Sequence, residues 1–343
     1  MSKGTGLGWP LDASGSATFA GLGWPSDSRV RISDADELAH DLGFLDGTVD
    51  STSADVSRET PQRERATVSR ETFAEVAAHT RTITVANQKG GVGKTTTTVN
   101  VAAALAQAGK RVLVIDLDPQ GNASTALGIR HSDDTQGVYE VLIEGQPLQA
   151  VVQKATSVDG VWCIPSTMDV AGCEIELVGL SEREFRLRMA LRHHAEVEHY
   201  DFILIDCPPS LGLLTVNAFT AATEVLIPIQ CEYYALEGLT QLMRNITLIQ
   251  AHLNPQLRVS TILMTMYDAR TRLSAQVAAE VRSHFGELVL KTSVPRSVRI
   301  SEAPSHGETV LTYDPSSVGA LSYREVAVEL TRQRVPQSAP PSS

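Results

Sequence analysis

Between residues 81 and 334, short apolar runs rich in β-branched residues alternate with longer stretches whose apolar positions recur every three to four residues. The runs at 82–86, 111–115, 202–205, 225–229 and 259–263 predict buried strands. The intervening pattern predicts helices over 95–108, about 174–195, 211–222, 235–252, 273–285 and 319–333. In the first of these, Val99, Ala102, Ala103 and Ala106 share one face and Gly109 ends it. Strands that are apolar throughout, each followed by a helix, predict an α/β fold: a mostly parallel, twisted sheet with helices on both faces. Ligands of such sheets sit beyond the carboxyl ends of the strands.

Residues 1–80 lack this periodicity. Gly-Leu-Gly-Trp-Pro occurs at 6–10 and again at 21–25, and Val-Ser-Arg-Glu-Thr at 56–60 and 68–72, among Ser, Thr, Asp and Gly. A stretch this poor in apolar side chains cannot offset its ordering entropy, so residues 1–80 are expected to form a low-complexity, disordered extension. Within it, 34–45 has a short helical pattern. Trp9 and Trp24 fit docking anchors for a further protein, and equally a duplicated tail without a task. The Pro- and Ser-rich residues 335–343 are expected to be a flexible tail.

Composition sets limits on function. The formal charge of the 343 residues is −11, with 42 % apolar and 20 % charged residues. Residues 1–80 hold 7 Lys+Arg against 13 Asp+Glu, and the remainder 22 against 27, so net charge neither supports nor excludes nucleic acid. No apolar run approaches the ~20 residues of a membrane helix, and the amino terminus does not read as a secretory signal. Cys163, Cys173, Cys207 and Cys231 show no Cys-x-x-Cys spacing, which points to free buried thiols and a reducing, cytoplasmic setting.

The chemistry begins at residues 88–96, Gln-Lys-Gly-Gly-Val-Gly-Lys-Thr-Thr, between a predicted strand and a predicted helix. Such a glycine run turns successive N–H groups toward one anion, so Gly90, Gly91, Val92, Gly93 and Thr96 are expected to cradle phosphate. Lys94 brings positive charge to the β- and γ-phosphates, and Thr95 a hydroxyl for Mg²⁺. The loop departs from G-x-x-x-x-G-K-[ST]: its first glycine position holds Gln88, and a second lysine, Lys89, precedes the glycine pair.

Two further strand ends carry acids. The strand at 111–115 runs into Asp116-Leu-Asp-Pro-Gln-Gly-Asn122, where Asp116 and Asp118 point to the same side of an extended chain. The strand at 202–205 ends in Asp206-Cys-Pro-Pro-Ser210, a carboxylate held at a rigid strand end to reach Mg²⁺. A solvated turn would use the same residue types.

Together with Pro295-Arg-Ser-Val-Arg-Ile-Ser-Glu-Ala-Pro-Ser305, these motifs resemble the chromosomal ParA (Soj) partition ATPases, which carry a deviant Walker A loop. The resemblance spans about 81–332 and implies a single ATPase domain over 81–334. It implies ATP and Mg²⁺ as cofactors, with Lys94 on the β/γ oxygens and Thr95, Asp116 and Asp206 around the metal. It implies that Lys89 reaches the nucleotide of a second subunit in an ATP-bridged homodimer, with Gly90 where the two loops meet. Asp118 would position the attacking water, Asn122 sense the γ-phosphate, and Met266 and Pro295 lie near adenine. Arg270, Arg296 and Arg299 would hold non-specific double-stranded DNA, and a ParB-type centromere-binding protein would stimulate hydrolysis. The implied setting is the nucleoid.

Related readings fit less well. MinD-like ATPases end in an amphipathic membrane helix, whereas 330–343 has no apolar face, so no membrane contact is expected. Nitrogenase-reductase relatives need cluster-binding cysteines at other positions. A biosynthetic ligase gives no role to the arginines. A nucleotide-gated polar scaffold acting mainly through protein partners stays open.

Overall fold

The computed structural model describes residues 80–333, apart from Arg130, His131, Asp133, Tyr233 and Tyr234. The expectations for 1–79, including the helical pattern at 34–45 and the two tryptophans, and for the tail at 335–343 lie outside the described residues. Eight strands form one sheet: β1 (Arg81–Val85), β2 (Val112–Asp116), β3 (Gln153–Lys154), β4 (Val161–Ile164), β5 (Phe202–Asp206), β6 (Glu224–Gln230), β7 (Arg258–Tyr267) and β8 (Val289–Pro295). Their order is β3-β4-β2-β5-β1-β6-β7-β8, parallel throughout except for the antiparallel edge pair β3–β4. The α/β sheet expected from the sequence is the one observed.

The main helices are α1 (Lys94–Gln107), α2 (Asn122–Ala126), α3 (Val170–Val178), α4 (Arg186–Ala195), α5 (Leu213–Ala221), α6 (Ala235–His252), α7 (Arg272–Phe285), α8 (Val298–Glu302) and α9 (Val318–Arg332). They divide between two cores, because side chains alternate along each strand. Leu113, Ile115, Ile203, Ile205 and Ile227 join α3 to α7 on one face. Val112, Val114, Leu204, Leu226 and Ile83 join α1, α2 and α9 on the other.

The single helix expected over 174–195 is two helices. After α3 stops at Gly179, Glu182 takes a positive φ of 51°, which no helix can continue through. At the amino ends of β1, β6 and β7, the fully buried Glu224 carboxylate accepts from Arg81 Nε at 2.9 Å and Nη2 at 2.7 Å, clipping neighbouring strands together. Among the described residues, no helix is long and apolar enough to cross a membrane. All four cysteines are buried free thiols, as their spacing suggested.

Candidate functional site

The site lies at the carboxyl ends of the central strands. β1 delivers the chain to a loop that Asn87 pins: its amide donates to Pro228 O at 2.8 Å, and its Oδ1 accepts from Lys89 N at 3.0 Å. From the other side, Thr265 Oγ1 of β7 donates to Val92 O at 2.8 Å. Gly91 and Gly93 have φ of 74° and 87°, a region costly to residues with a Cβ. Gly93 leads into α1 with no side chain capping its first turn, which leaves those N–H groups for an anion. Gly90 differs: a Cβ built there meets nothing within 4 Å, and its φ is not in the left-handed region.

Lys94 is 7 % exposed and its Nζ lies 3.5 Å from Lys89 O. Burial lowers its pKa, against the opposing pull of Asp206, Cys207 and Asp118. The strand register sets Asp116 directly beside Asp206 on adjacent strands, both fully buried. Asp116 Oδ2 accepts from Ser124 N at 2.9 Å and Ser124 Oγ at 2.7 Å. Asp206 Oδ1 accepts from Thr98 Oγ1 at 2.9 Å. Burial raises the pKa of both carboxyl groups, and the neighbouring Asp116 raises that of Asp206 further. The Thr95 hydroxyl acts on Asp206 in the opposite sense. Asp206 Oδ2 is buried without a hydrogen-bond partner. Two buried acids, one orphaned oxygen and a nearby hydroxyl make a hard-oxygen donor set short of positive charge, which suits Mg²⁺.

Asp118 is half-buried at the rim, its Oδ1 accepting from Gln120 N at 3.1 Å, close enough for its charge to act on Lys94. Asn122 is exposed as the first residue of α2, after Gly121 at φ 61°. Thr95 and Thr96 are half-buried in the first turn of α1. Met266, next to last in β7, and Pro295, the last residue of β8, lie on neighbouring strands, Pro295 pairing in register with Tyr267. Met266 has φ 50°, an uncommon conformation for a residue with a side chain.

The lysine that marks the loop as deviant is held within its own chain: Lys89 Nζ lies 3.0 Å from Glu232 Oε2. Each arginine of the expected DNA patch also has an acidic neighbour. Arg270 pairs with Asp268 at 2.9 Å, Arg299 with Glu302 at 3.2 Å and Asp314 at 3.5 Å, and Arg296 with Glu232 at 4.0 Å. Glu232, Ser124, Thr98 and Asn87 carried no mark in the sequence reading; only their spatial neighbours identify them.

Comparison with known proteins fits this geometry. A family model described as an AAA domain matches residues 80–259. The chain is 54 % identical over 248 residues to the sporulation initiation inhibitor protein Soj of Bacillus subtilis (strain 168), covering 72 % of this chain and 97 % of that protein. It is 50 % identical over 258 residues to the chromosome partitioning protein ParA of Myxococcus xanthus (strain DK1622), covering 75 % and 90 %. Among solved structures it is similar to a Mycobacterium smegmatis protein described as cobyrinic acid a,c-diamide synthase with bound ATP analogue and magnesium. That similarity has a TM-score of 0.63 and 38 % identity, over 74 % of this chain and 95 % of the other. A phosphate loop with a second lysine, two buried strand-end carboxylates and relatives of this identity leave one assignment: the chain belongs to the ParA/Soj family of chromosome-partitioning P-loop ATPases.

Proposed function

We propose that this ATPase dimerises on ATP, binds double-stranded DNA without sequence preference, and is released when a ParB-type partner stimulates hydrolysis. The observation that carries the reading is the buried Asp116–Asp206 pair, whose Asp206 acts on Lys94 and keeps one carboxylate oxygen without a partner. Lys94 and the N–H groups of residues 90–96 hold the β- and γ-phosphates. Thr95, Asp116 and Asp206 hold the magnesium, with Ser124 and Thr98 fixing the two carboxylates. Bound magnesium would offset the charge of the phosphates and of this carboxylate pair.

Asp118 orients the attacking water, and Lys94 neutralises the charge that develops on the transferred group. Asn122 senses the γ-phosphate, while Met266 and Pro295 border adenine. Lys89 leaves Glu232 for the nucleotide of a second subunit, so hydrolysis waits for the dimer and is slow. Residues 81–334 form the ATPase domain, 1–80 an extension and 335–343 a tail. The setting is cytoplasmic and nucleoid-associated.

Arg270, Arg296 and Arg299 would exchange their carboxylate partners for DNA phosphates. Exposed pairs of this kind contribute little, so the exchange is inexpensive and strongly salt-dependent. Their acidic neighbours also support the second reading, a nucleotide-gated scaffold that acts through protein partners.

Binding to random-sequence duplex DNA across a salt series, with no nucleotide, ADP, or ATP and Mg²⁺, separates the two. Binding only with ATP, lost as salt rises, is expected. Binding in none of the three states removes the DNA reading and leaves the scaffold. Lys94→Ala is expected to abolish nucleotide binding, whereas Asp118→Ala retains ATP and stays on DNA. Hydrolysis by Asp118→Ala at the parent rate would overturn its water-positioning role.

A further inference from the structure

Leu263 and Met264 of β7 pack into the two opposite cores, as alternation along a strand requires. Thr265 falls on the side of Leu263, which is the side of α1 and its phosphate loop. Tyr267 packs against the core of Met264 three residues further on instead of two, and the β7–β8 register shifts between them. The extra residue is Met266, at φ 50°. A bulge of this kind beside a site re-aims the chain. Here it lets one strand end serve two neighbours. Thr265 Oγ1 donates to Val92 O at 2.8 Å, and Tyr267 O accepts from Arg296 N at 3.2 Å.

What Thr265 holds is a peptide of the glycine loop. A planar trans peptide points its C=O and the following N–H in opposite directions. Fixing Val92 O toward β7 therefore turns the Gly93 N–H away from β7. The approach is close: a Cβ built on Gly93 would lie 3.9 Å from Thr265 Cγ2. Gly93 O accepts from Thr97 N at 2.8 Å to open α1, whereas among the described residues nothing accepts from Gly93 N. Donation to Val92 O also polarises that amide and strengthens its N–H as a donor. Thr265 and Val92 are both buried, which leaves little room for water to replace the hydroxyl.

We infer that Thr265 is a positioning residue for nucleotide binding: through Val92, its hydroxyl aims the Gly93 N–H at the phosphate chain. It touches no phosphate itself. The inference rests on the reading that the glycine loop cradles phosphate, and it gives the bulge at Met266 a task, the delivery of a hydroxyl to that loop.

The full chain, ¹⁵N-labelled at glycine and titrated with ADP and Mg²⁺, tests the role without hydrolysis. The Gly93 amide proton is expected to move downfield as it bonds to phosphate. Thr265→Val keeps the side-chain shape and loses the donor, so it should shrink that displacement and weaken ADP about three- to tenfold by calorimetry. Thr265→Ser keeps the donor and should restore both. Unchanged Gly160 and Gly286 resonances check the fold, and Thr265→Ala takes the place of the valine variant if that one does not fold. Parent-like displacement without the hydroxyl overturns the inference. So does weaker ADP with the displacement intact, the mark of a merely structural residue, or a serine variant that restores neither. A Gly93 resonance that ADP leaves unmoved in the parent instead removes the phosphate cradle itself, and the inference with it.

Discussion

Glu232 meets Lys89 at 3.0 Å and Arg296 at 4.0 Å, and accepts from Gln230 Nε2 at 2.5 Å. One carboxylate thus holds the residue proposed to cross to a second subunit and one proposed to touch DNA. Glu232→Gln should let Lys89 go. Because the pair is exposed, the expected effect is small: ATP-driven dimerisation at about 1.4- to 5-fold lower nucleotide concentration, read by sedimentation. An unchanged or higher requirement would contradict a restraining role. Lys94, Asp116 and Asp206 were legible in the sequence because each sits at a fixed offset from a strand or a glycine run. Glu232 was not, since 143 residues separate it from Lys89 and only the alignment of β6 beside β1 brings them together. Ser124 was hidden for a simpler reason, as a serine after a turn has many ordinary uses.

Among elements, the clip at the amino ends of the strands offers a stability test remote from the nucleotide. Glu224→Ala would leave Arg81, 15 % exposed, without its carboxylate, at an expected cost of about 3–5 kcal/mol in urea unfolding while nucleotide binding persists. His194 on α4 offers another. Burial depresses its pKa against the opposing charge of Glu198, with Arg188 and Arg192 lining one groove with it. The fold holds it neutral, while the unfolded chain takes up a proton near the ordinary value of about 6.5. Its share of stability is therefore full above that value and falls away as pH drops toward the folded pKa. His194→Phe should flatten the loss of stability between about pH 7 and 5; an unaltered slope would assign the acid sensitivity elsewhere. The sequence showed five central strands because each is a short run of apolar and β-branched residues. It did not delimit β3, β4 or β8, which are two residues long, four residues long between Gly160 and Pro165, or an edge strand interrupted by Lys291, Thr292 and Ser293. The break between α3 and α4 was also missed, because apolar spacing runs on across it.

At the scale of the whole molecule, the family match begins at residue 80, and the glycine loop and both strand-end acids lie beyond that point. Removing residues 1–79 is accordingly expected to leave ATP hydrolysis and ATP-dependent DNA binding within about twofold of the parent. A larger loss in either assay would move part of the machinery into the extension. The architecture was legible at this scale because alternation of strand and helix leaves few ways to bury both faces of a sheet. Pairing is a different matter, and Gly90 makes the difference heritable. A Cβ there meets nothing within 4 Å, so a single chain has no quarrel with a larger residue. If two loops meet at that point, a cell inheriting Gly90→Val would make a full complement of folded, nucleotide-loaded protein and still lose chromosomes. A copy that cannot pair leaves normal copies free to pair with one another, so beside a normal gene the defect would be recessive although no molecule was misfolded.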